Sequence, residues 1–351
     1  MSKKSNPPDS VRFIAREHLA LWLDQIAEQM LLIAPRDVDG FVLYRKANSA
    51  ADIFWDYSRP VIPIKDALFP PTESLFTIEK RGQDVRIIQS DPPPEQVLFG
   101  VRPCDAHGLQ ALDALFISTE PTDIYYAQRR QQSVLIGLAC NEMGQSCFCT
   151  SMGSAPDDPR HLDMLLEEVV GGYVVQTVSE KGAALQERIP MITTPFSGER
   201  VKKDWSKINT VLDYPPLDAW RLSFNDPYWE AVSEICLSCR ACAYVCPTCR
   251  CFDVRDEPLT DQAETQLYER IRCWDSCAGE SYRRTAGGHN PRPEKGQRLR
   301  NRFYCKFYYF PLQYGPAACT GCGRCIDICP TGVDITEVLQ HMANKIPVEV
   351  A

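Results

Sequence analysis

The chain has 351 residues, with 46 acidic against 38 basic side chains and a formal net charge of −8. An acidic balance excludes a broad nucleic-acid-binding face, which needs clustered Lys and Arg, and the longest apolar runs, such as "VLIGLAC", are too short to span a bilayer. The first residues, "MSKKSNPPDS", lack the apolar stretch of a signal peptide, so a cytoplasmic protein with no membrane span and no nucleic-acid partner is expected.

In chain order, "DSVRFIAREHLALWLDQIAEQM" predicts an amphipathic helix capped by Asp9 or Ser10, with Leu19, Trp22, Leu23, Ile26 and Met30 at helical spacing. "GFVLYRK", "EQVLFGV", "SVLIGLA" and "GYVVQTV" predict short strands, the middle two apolar enough to be buried. "CDAHGLQALDALF" and "PRHLDMLLEEVV" predict helices, and the proline-rich "FPPTE" and "DPPPEQ" predict loops. This alternation predicts an α/β domain over residues 1–220, with a boundary near "VLDYPPLDAW". Residues 221–351 are expected to form a mainly helical, ferredoxin-like domain, making the chain α+β overall.

Seventeen cysteines give the chain its chemistry. In a protein without signs of export such clusters bind metal more often than they form disulfides. Cys236, Cys239, Cys242 and Cys246, followed by Pro247, spell C-x2-C-x2-C-x3-C-P, and Cys319, Cys322, Cys325 and Cys329 with Pro330 spell it again. In such runs three thiolates hold one cubane while the fourth reaches the other cluster. One [4Fe-4S] cluster is therefore assigned to Cys236, Cys239, Cys242 and Cys329, and a second to Cys319, Cys322, Cys325 and Cys246. The competing reading is zinc, which also takes C-x-x-C pairs. Small residues at Ala241, Gly321 and Gly323 would let backbone amides approach cluster sulfurs.

Between the motifs stand Cys249, Cys251, Cys273, Cys277 and Cys305, read as packed thiols or, for the first four, as a further metal site. Upstream, Cys104 and Cys140 each follow a predicted strand end, where ligands gather in an α/β sheet. With Cys147 and Cys149 they make four thiols, enough for a third [4Fe-4S] cluster. The alternatives are buried structural thiols or a redox pair of Cys147 with Cys149, although a C-x-C spacing is awkward to bridge. Asp105 would cap the helix that starts there.

From Arg283 to Lys306, "RRTAGGHNPRPEKGQRLRNRFYCK" carries eight basic residues and one acidic residue, Glu294. Its glycines and prolines predict a loop, either solvated or docking an acidic partner. No G-x-G-x-x-G follows a strand and no P-loop is present, so no catalytic residue is assigned.

The stretches "GVRPCDAHGLQALDALF", "CFCTSMG", "CRACAYVCPTCRCFDV", "RCWDSC", "AGGHNPR" and "GCGRCIDICPTGVDI" together resemble the iron–sulfur beta subunit of cytoplasmic sulfhydrogenases, which are nickel–iron hydrogenases. That subunit is similar to the corresponding iron–sulfur chain of anaerobic sulfite reductase. The resemblance runs from about residue 96 to about 336. It implies an electron-transfer subunit that relays electrons between a catalytic subunit, of hydrogenase or sulfite-reductase type, and a flavin-containing diaphorase subunit. It also implies clusters on the eight ferredoxin-type cysteines. Cys273 has no counterpart role. The alternative is a flavin-dependent reductase with its own active site in the amino-terminal domain.

Overall fold

The computed structural model describes residues 11–196, 198, 205, 212, 214–262 and 265–345. Asp9 and Ser10, expected as helix caps, lie outside the described residues, as do Val211 and Asp213 of the expected boundary segment. The amino-terminal part runs β1 (Arg12–Ala15), α1 (Arg16–Gln29), β2 (Leu31–Val38), β3 (Phe41–Ala47), α2 (Lys65–Leu68), β4 (Thr72–Arg81), β5 (Asp84–Gln89), β6 (Gln96–Val101), α3 (Pro103–Phe116), α4 (Ile124–Gln131), β7 (Ser133–Leu138), β8 (Met164–Val169), β9 (Gly172–Thr177), α5 (Glu180–Arg188) and β10 (Thr194–Pro195).

Eight of these strands form one sheet in the order β10-β1-β9-β8-β7-β6-β2-β3. Its centre, β2, β6, β7 and β8, is parallel, and β3, β9, β1 and β10 are antiparallel additions outside it. Helices cover both faces, which is why every residue of β6 is buried and why its sequence is apolar without alternation. On one face α1 contributes Leu19, Trp22, Leu23 and Ile26. On the other, α3 contributes Ala106, Leu109 and Leu112.

Two helix expectations fail, the first at its start and the second throughout. Helix α1 begins at Arg16, and its N-cap Ala15 makes no side-chain cap. Residues 12–15 instead pair with β9, so sheet hydrogen bonds take the stretch that periodicity alone gives to the helix. "PRHLDMLLEEVV" is not a helix: Met164 to Val169 are strand β8, buried between β7 and β9. A two-residue turn at Val170 and Gly171, the glycine at φ +83°, joins β8 to β9 as a hairpin.

The carboxyl part contains α6 (Leu217–Leu222), α7 (Tyr228–Glu234), α8 (Ala241–Tyr244), β11 (Phe252–Gln262), β12 (Thr265–Trp274), α9 (Lys295–Tyr304), α10 (Phe310–Tyr314), α11 (Arg324–Asp327) and α12 (Ile335–Ala343), with a π-helical turn over Cys305–Tyr309. Its core gathers Trp220, Trp229, Phe303, Tyr304, Phe307, Val338, Leu339 and Met342. The long hairpin β11–β12 interrupts what the sequence predicts as a mainly helical unit. It leaves that unit and pairs with β4–β5 in a second antiparallel sheet, order β11-β12-β4-β5. At that joint Arg272 is buried beside Glu73 and Asp123 and lies over the rings of Phe69, Phe116 and Phe252.

A second joint is an ion pair. Arg324 on α11 donates from Nη1 and Nη2 to the two carboxylate oxygens of Asp105 at 2.5 and 2.9 Å, and from Nε to the Pro60 carbonyl at 2.8 Å. Both side chains are almost fully buried, at 3% and 0% exposure. Asp105 is thus not the cap of α3: the N-cap is Arg102, which makes no side-chain cap, and Asp105 stands in the first turn with its carboxylate turned to Arg324. Burial of both charges makes loss of one partner costly, because the other remains unpaired out of water. Asp105→Ala is expected to lower stability in anaerobic urea unfolding by about 3–5 kcal/mol. Asp105→Leu combined with Arg324→Met should lose far less, and an equal loss in both proteins would contradict the pairing.

Candidate metal-cluster sites

All seventeen cysteines are free thiols. The first ferredoxin-type run begins after α7, where Cys236 precedes a tight turn. Ser238 and Arg240 adopt positive φ there, which folds the chain back so that Cys236, Cys239 and Cys242 line one cavity together with Cys329 from the second run. Cys325 of the second run lines the same cavity, so both runs contribute sulfur to it. Backbone amides reach these sulfurs: the Ser238 N–H donates to Cys236 Sγ at 3.4 Å and the Val333 N–H to Cys329 Sγ at 3.2 Å. Cys239 is exposed, with Leu237 and Ile235 exposed beside it, so this group lies nearest the surface.

The second group is deeper. Cys246, Cys319 and Cys322 are buried, and Cys325 feels the charges of all three. Lys306 carries its ammonium into this interior, where Nζ donates to Cys246 Sγ at 3.1 Å, to the Thr248 hydroxyl at 2.9 Å and to the Ala318 carbonyl at 3.2 Å. The Cys246 thiol is held well below its usual range, first by the hydrogen bond from Cys249, against burial, and then by Lys306 and Arg302. Burial works against the Lys306 ammonium, yet the Cys246 and Cys249 sulfurs hold its pKa above the ordinary value. Burial pushes the Cys319 thiol up to about 12.

Cys104 follows β6 at the start of α3, and Cys140 follows β7, the neighbouring parallel strand. With Cys147 and Cys149 they line one narrow cavity, which Gly321 and Cys322 of the second ferredoxin-type run help to close. The segment "CFC" is held against that run from both sides. The Phe148 N–H donates to the Gly321 carbonyl at 2.7 Å, and the Phe148 ring packs in the carboxyl core. Gly321 and Gly323 have φ of +65° and +74°, and a Cβ there would come within 2.6 Å of Phe148 and Cys149, or of Ser146, respectively. The glycines that the sequence assigns to cluster contact thus also admit the early cysteine segment. Arg59 donates from Nη1 to Cys147 Sγ at 3.0 Å. Burial raises the Cys104, Cys140 and Cys147 thiols and pushes Cys149 up to about 12, with neighbouring Cys147 and Cys140 adding to it.

The soft sulfur atoms that line these cavities, approached by cations and amides, suit thiolate-ligated iron. Among the described residues no three His, Cys, Asp or Glu side chains close around a point as a single bound ion requires.

The cations were not legible as site residues. The basic stretch divides: Arg283 and Arg284 are exposed, but from Lys295 the chain is helical, started by a reciprocal cap between Glu294 and Gln297. Arg298, Arg302 and Lys306 are buried. Their i, i+4, i+8 spacing puts them on one helix face, and that periodicity was the available signal. Phe148 was signalled only by its place between two cysteines.

A second, larger cavity of about 620 Å³ adjoins Cys140 at the carboxyl ends of the parallel strands, lined among others by Arg16, Trp55, Tyr57, Arg102, Glu168 and Tyr173. Phe148→Ala is expected to remove about 3–5 kcal/mol of stability and to leave the ferredoxin-type cysteines gathered. The check is urea unfolding together with alkylation of Cys147 and Cys149 in the native state, which should become several-fold faster. Unchanged alkylation would mean that the ring does not hold the segment.

A family model described as a 4Fe-4S dicluster domain matches residues 235–333. The chain is similar to a protein of Pyrococcus furiosus named Sulfhydrogenase 2 subunit beta: the two are 33% identical over 314 residues, which cover 85% of this chain and 88% of that relative. No solved structure matches the chain.

Proposed function

The chain belongs to the family of sulfhydrogenase beta subunits, and from that premise we propose that it is a non-catalytic electron-transfer subunit of a cytoplasmic, multi-subunit oxidoreductase. It carries [4Fe-4S] clusters. In this reading Cys236, Cys239, Cys242 and Cys329 hold one, Cys319, Cys322, Cys325 and Cys246 the second, and Cys104, Cys140, Cys147 and Cys149 a third. Residues 1–220 and 221–351 are its two units. Its partners are a catalytic subunit, of hydrogenase or sulfite-reductase type, and a flavin-containing diaphorase subunit.

The observation that carries the reading is adjacency. The Cys147 thiol points at the Cys322 carbonyl at 3.7 Å, and Cys325 lines the cavity of the Cys236 group while feeling the charges of its own. When bound, each cluster supplies a site that accepts and gives up one electron. The protein's own part is to hold the thiolates, offset their charge with Arg59, Arg302, Arg324 and Lys306, and exclude water from the inner groups. The exposed Cys239 edge, flanked by Ile235 and Leu237, suits the approach of a partner. Among the described residues no helix is long and apolar enough to cross a membrane, and a cytoplasmic setting would keep seventeen thiols reduced.

Cys147→Ser with Cys149→Ser is expected to lower iron and acid-labile sulfide by about four per chain and to remove one paramagnetic component of the reduced protein, leaving the dicluster signals in place. Unchanged iron would remove the third station. The isolated chain should be reduced by dithionite yet neither evolve hydrogen nor consume sulfite, and turnover of either by the chain alone would overturn the non-catalytic reading.

A second reading, a flavin-dependent reductase acting in the amino-terminal unit, is favoured by the cavity beside Cys140. Its volume falls in the range of cofactor sites, and it brings aromatic and cationic side chains together at strand carboxyl ends. Purified chain should retain no flavin if the relay reading is correct. Stoichiometric flavin lost on Trp55→Ala would favour the second.

A further inference from the structure

Cys249, Cys251, Cys273, Cys277 and Cys305 belong to none of the three groups, and the hairpin β11–β12 brings the neighbourhoods of four of them together. Phe252 pairs with Trp274 at its stem, and the Asp275 N–H donates to the Cys251 carbonyl at 2.9 Å. This draws Cys277 back to Cys251: the Cys277 thiol and N–H both donate to the Cys251 sulfur, and the Tyr282 hydroxyl donates to it as well.

Cations surround the four. Arg250 Nη2 lies 3.8 Å from Cys305 Sγ, Arg302 Nη1 lies 3.9 Å from Cys249 Sγ, and Lys65 Nζ donates to the Cys249 carbonyl at 3.0 Å. Lys65 is 2% exposed although it is a lysine, and Arg302 is 5% exposed. Two buried cations need anionic neighbours. Cys305 also opens the π-helical turn. Such a turn is an extra residue worked into a helix, a local cost that recurs at functional sites.

Cys273 stands apart. Its neighbours Arg272 and Trp274 both contact Phe69, and side-chain alternation along β12 sends Cys273 to the other face, with Asp253 and Thr72 as its register partners. A zinc or cluster set drawn from sequence proximity, with Cys273 as a member, is therefore not the one that the fold gathers.

We propose that Cys249, Cys251, Cys277 and Cys305 are a further iron–sulfur site, holding a [4Fe-4S] cluster through four thiolates beside the Cys246 group. The position follows from the Cys249 N–H, which donates to the Cys246 carbonyl at 3.4 Å. A Cys251–Cys277 disulfide would use two of the thiols, require an oxidant, and leave Cys249 and Cys305 with their cations unexplained. The site goes beyond the three-group reading and is tested apart from it.

The test is iron, zinc and acid-labile sulfide per full-length chain, prepared anaerobically, with paramagnetic resonance of the reduced protein. Wild type is expected to hold about sixteen iron atoms, four per cubane. Cys251→Ser with Cys277→Ser should lose about four irons and four sulfides and one paramagnetic component, whereas Cys273→Ser should match wild type. If Cys251→Ser with Cys277→Ser removes iron and Cys147→Ser with Cys149→Ser does not, the early group fails and this one stands; the reverse pattern overturns this one. Zinc lost in place of iron, or a disulfide-linked peptide joining Cys251 to Cys277 in the anaerobic wild type, also overturns it. Should the double variant not fold, Cys305→Ser alone and the wild-type count decide, and a count of about twelve that Cys305→Ser leaves unchanged sinks the proposal.

Discussion

Arg302 and Lys306 lie one helical turn apart, carry their charges into the protein interior, and meet sulfur there. A lone ammonium or thiolate in that position would be neutralised, since an unpaired buried charge costs several kcal/mol. Held together, each keeps the other ionised, and the direction of the shifts at Cys246 and Lys306 agrees with that. The rest of the carboxyl unit is arranged so that this meeting occurs away from water. Phe303 and Phe307, on the helical segment that bears both cations, pack against Trp229 and Trp220, and Glu294 and Gln297 fix where that segment begins.

The same logic extends across the joint between the two parts of the chain. Arg324 follows a glycine of the second ferredoxin-type run and spends its guanidinium on Asp105, one residue after Cys104. Phe148, Gly321 and Gly323 fit the "CFC" segment to that run at backbone distance. Residues that position sulfur are therefore also the residues that join the sheet to the helices. Cys325 lines the cavity of Cys236, Cys239 and Cys242, and Cys322 lines that of Cys104 and Cys140, so the second ferredoxin-type run reaches both.

Much of this was legible in the sequence where one local rule decided the outcome. The two cysteine runs with proline, the strands at 96–101 and 133–138, and the helix after Cys104 follow from spacing and apolar character. Cys104 and Cys140 each follow a buried parallel strand, and the structure places both, with Cys147 and Cys149, along one cavity. What failed were segments settled by distant partners. Residues 12–15 read as helix until β9 claims their hydrogen bonds, and "MLLEEV" has the composition of a helix until β7 and β9 flank it. The signal passed over was the Gly171–Gly172 pair between two apolar runs. The hairpins β4–β5 and β11–β12 stabilise each other across the chain, which no local window shows. The basic stretch read as a loop, solvated or docking an acidic partner, because charge was counted without its four-residue period.

The sheet that joins those hairpins has a consequence for how the chain comes into being. Arg272 and Glu73, facing each other across β12 and β4, are 199 residues apart in sequence, and Arg324 and Asp105 are 219 apart. Synthesis is vectorial, so β4–β5 leaves the ribosome long before its partner exists and carries an unpaired edge through most of translation. The pocket of the early cysteines stays open until Gly321 and Cys322 arrive to close it. Contacts of such sequence separation form late and slowly. A chain interrupted before Gly321 would therefore present the early thiols bare, and the order of assembly makes the finished polypeptide, rather than its amino-terminal half, the species in which that pocket is closed.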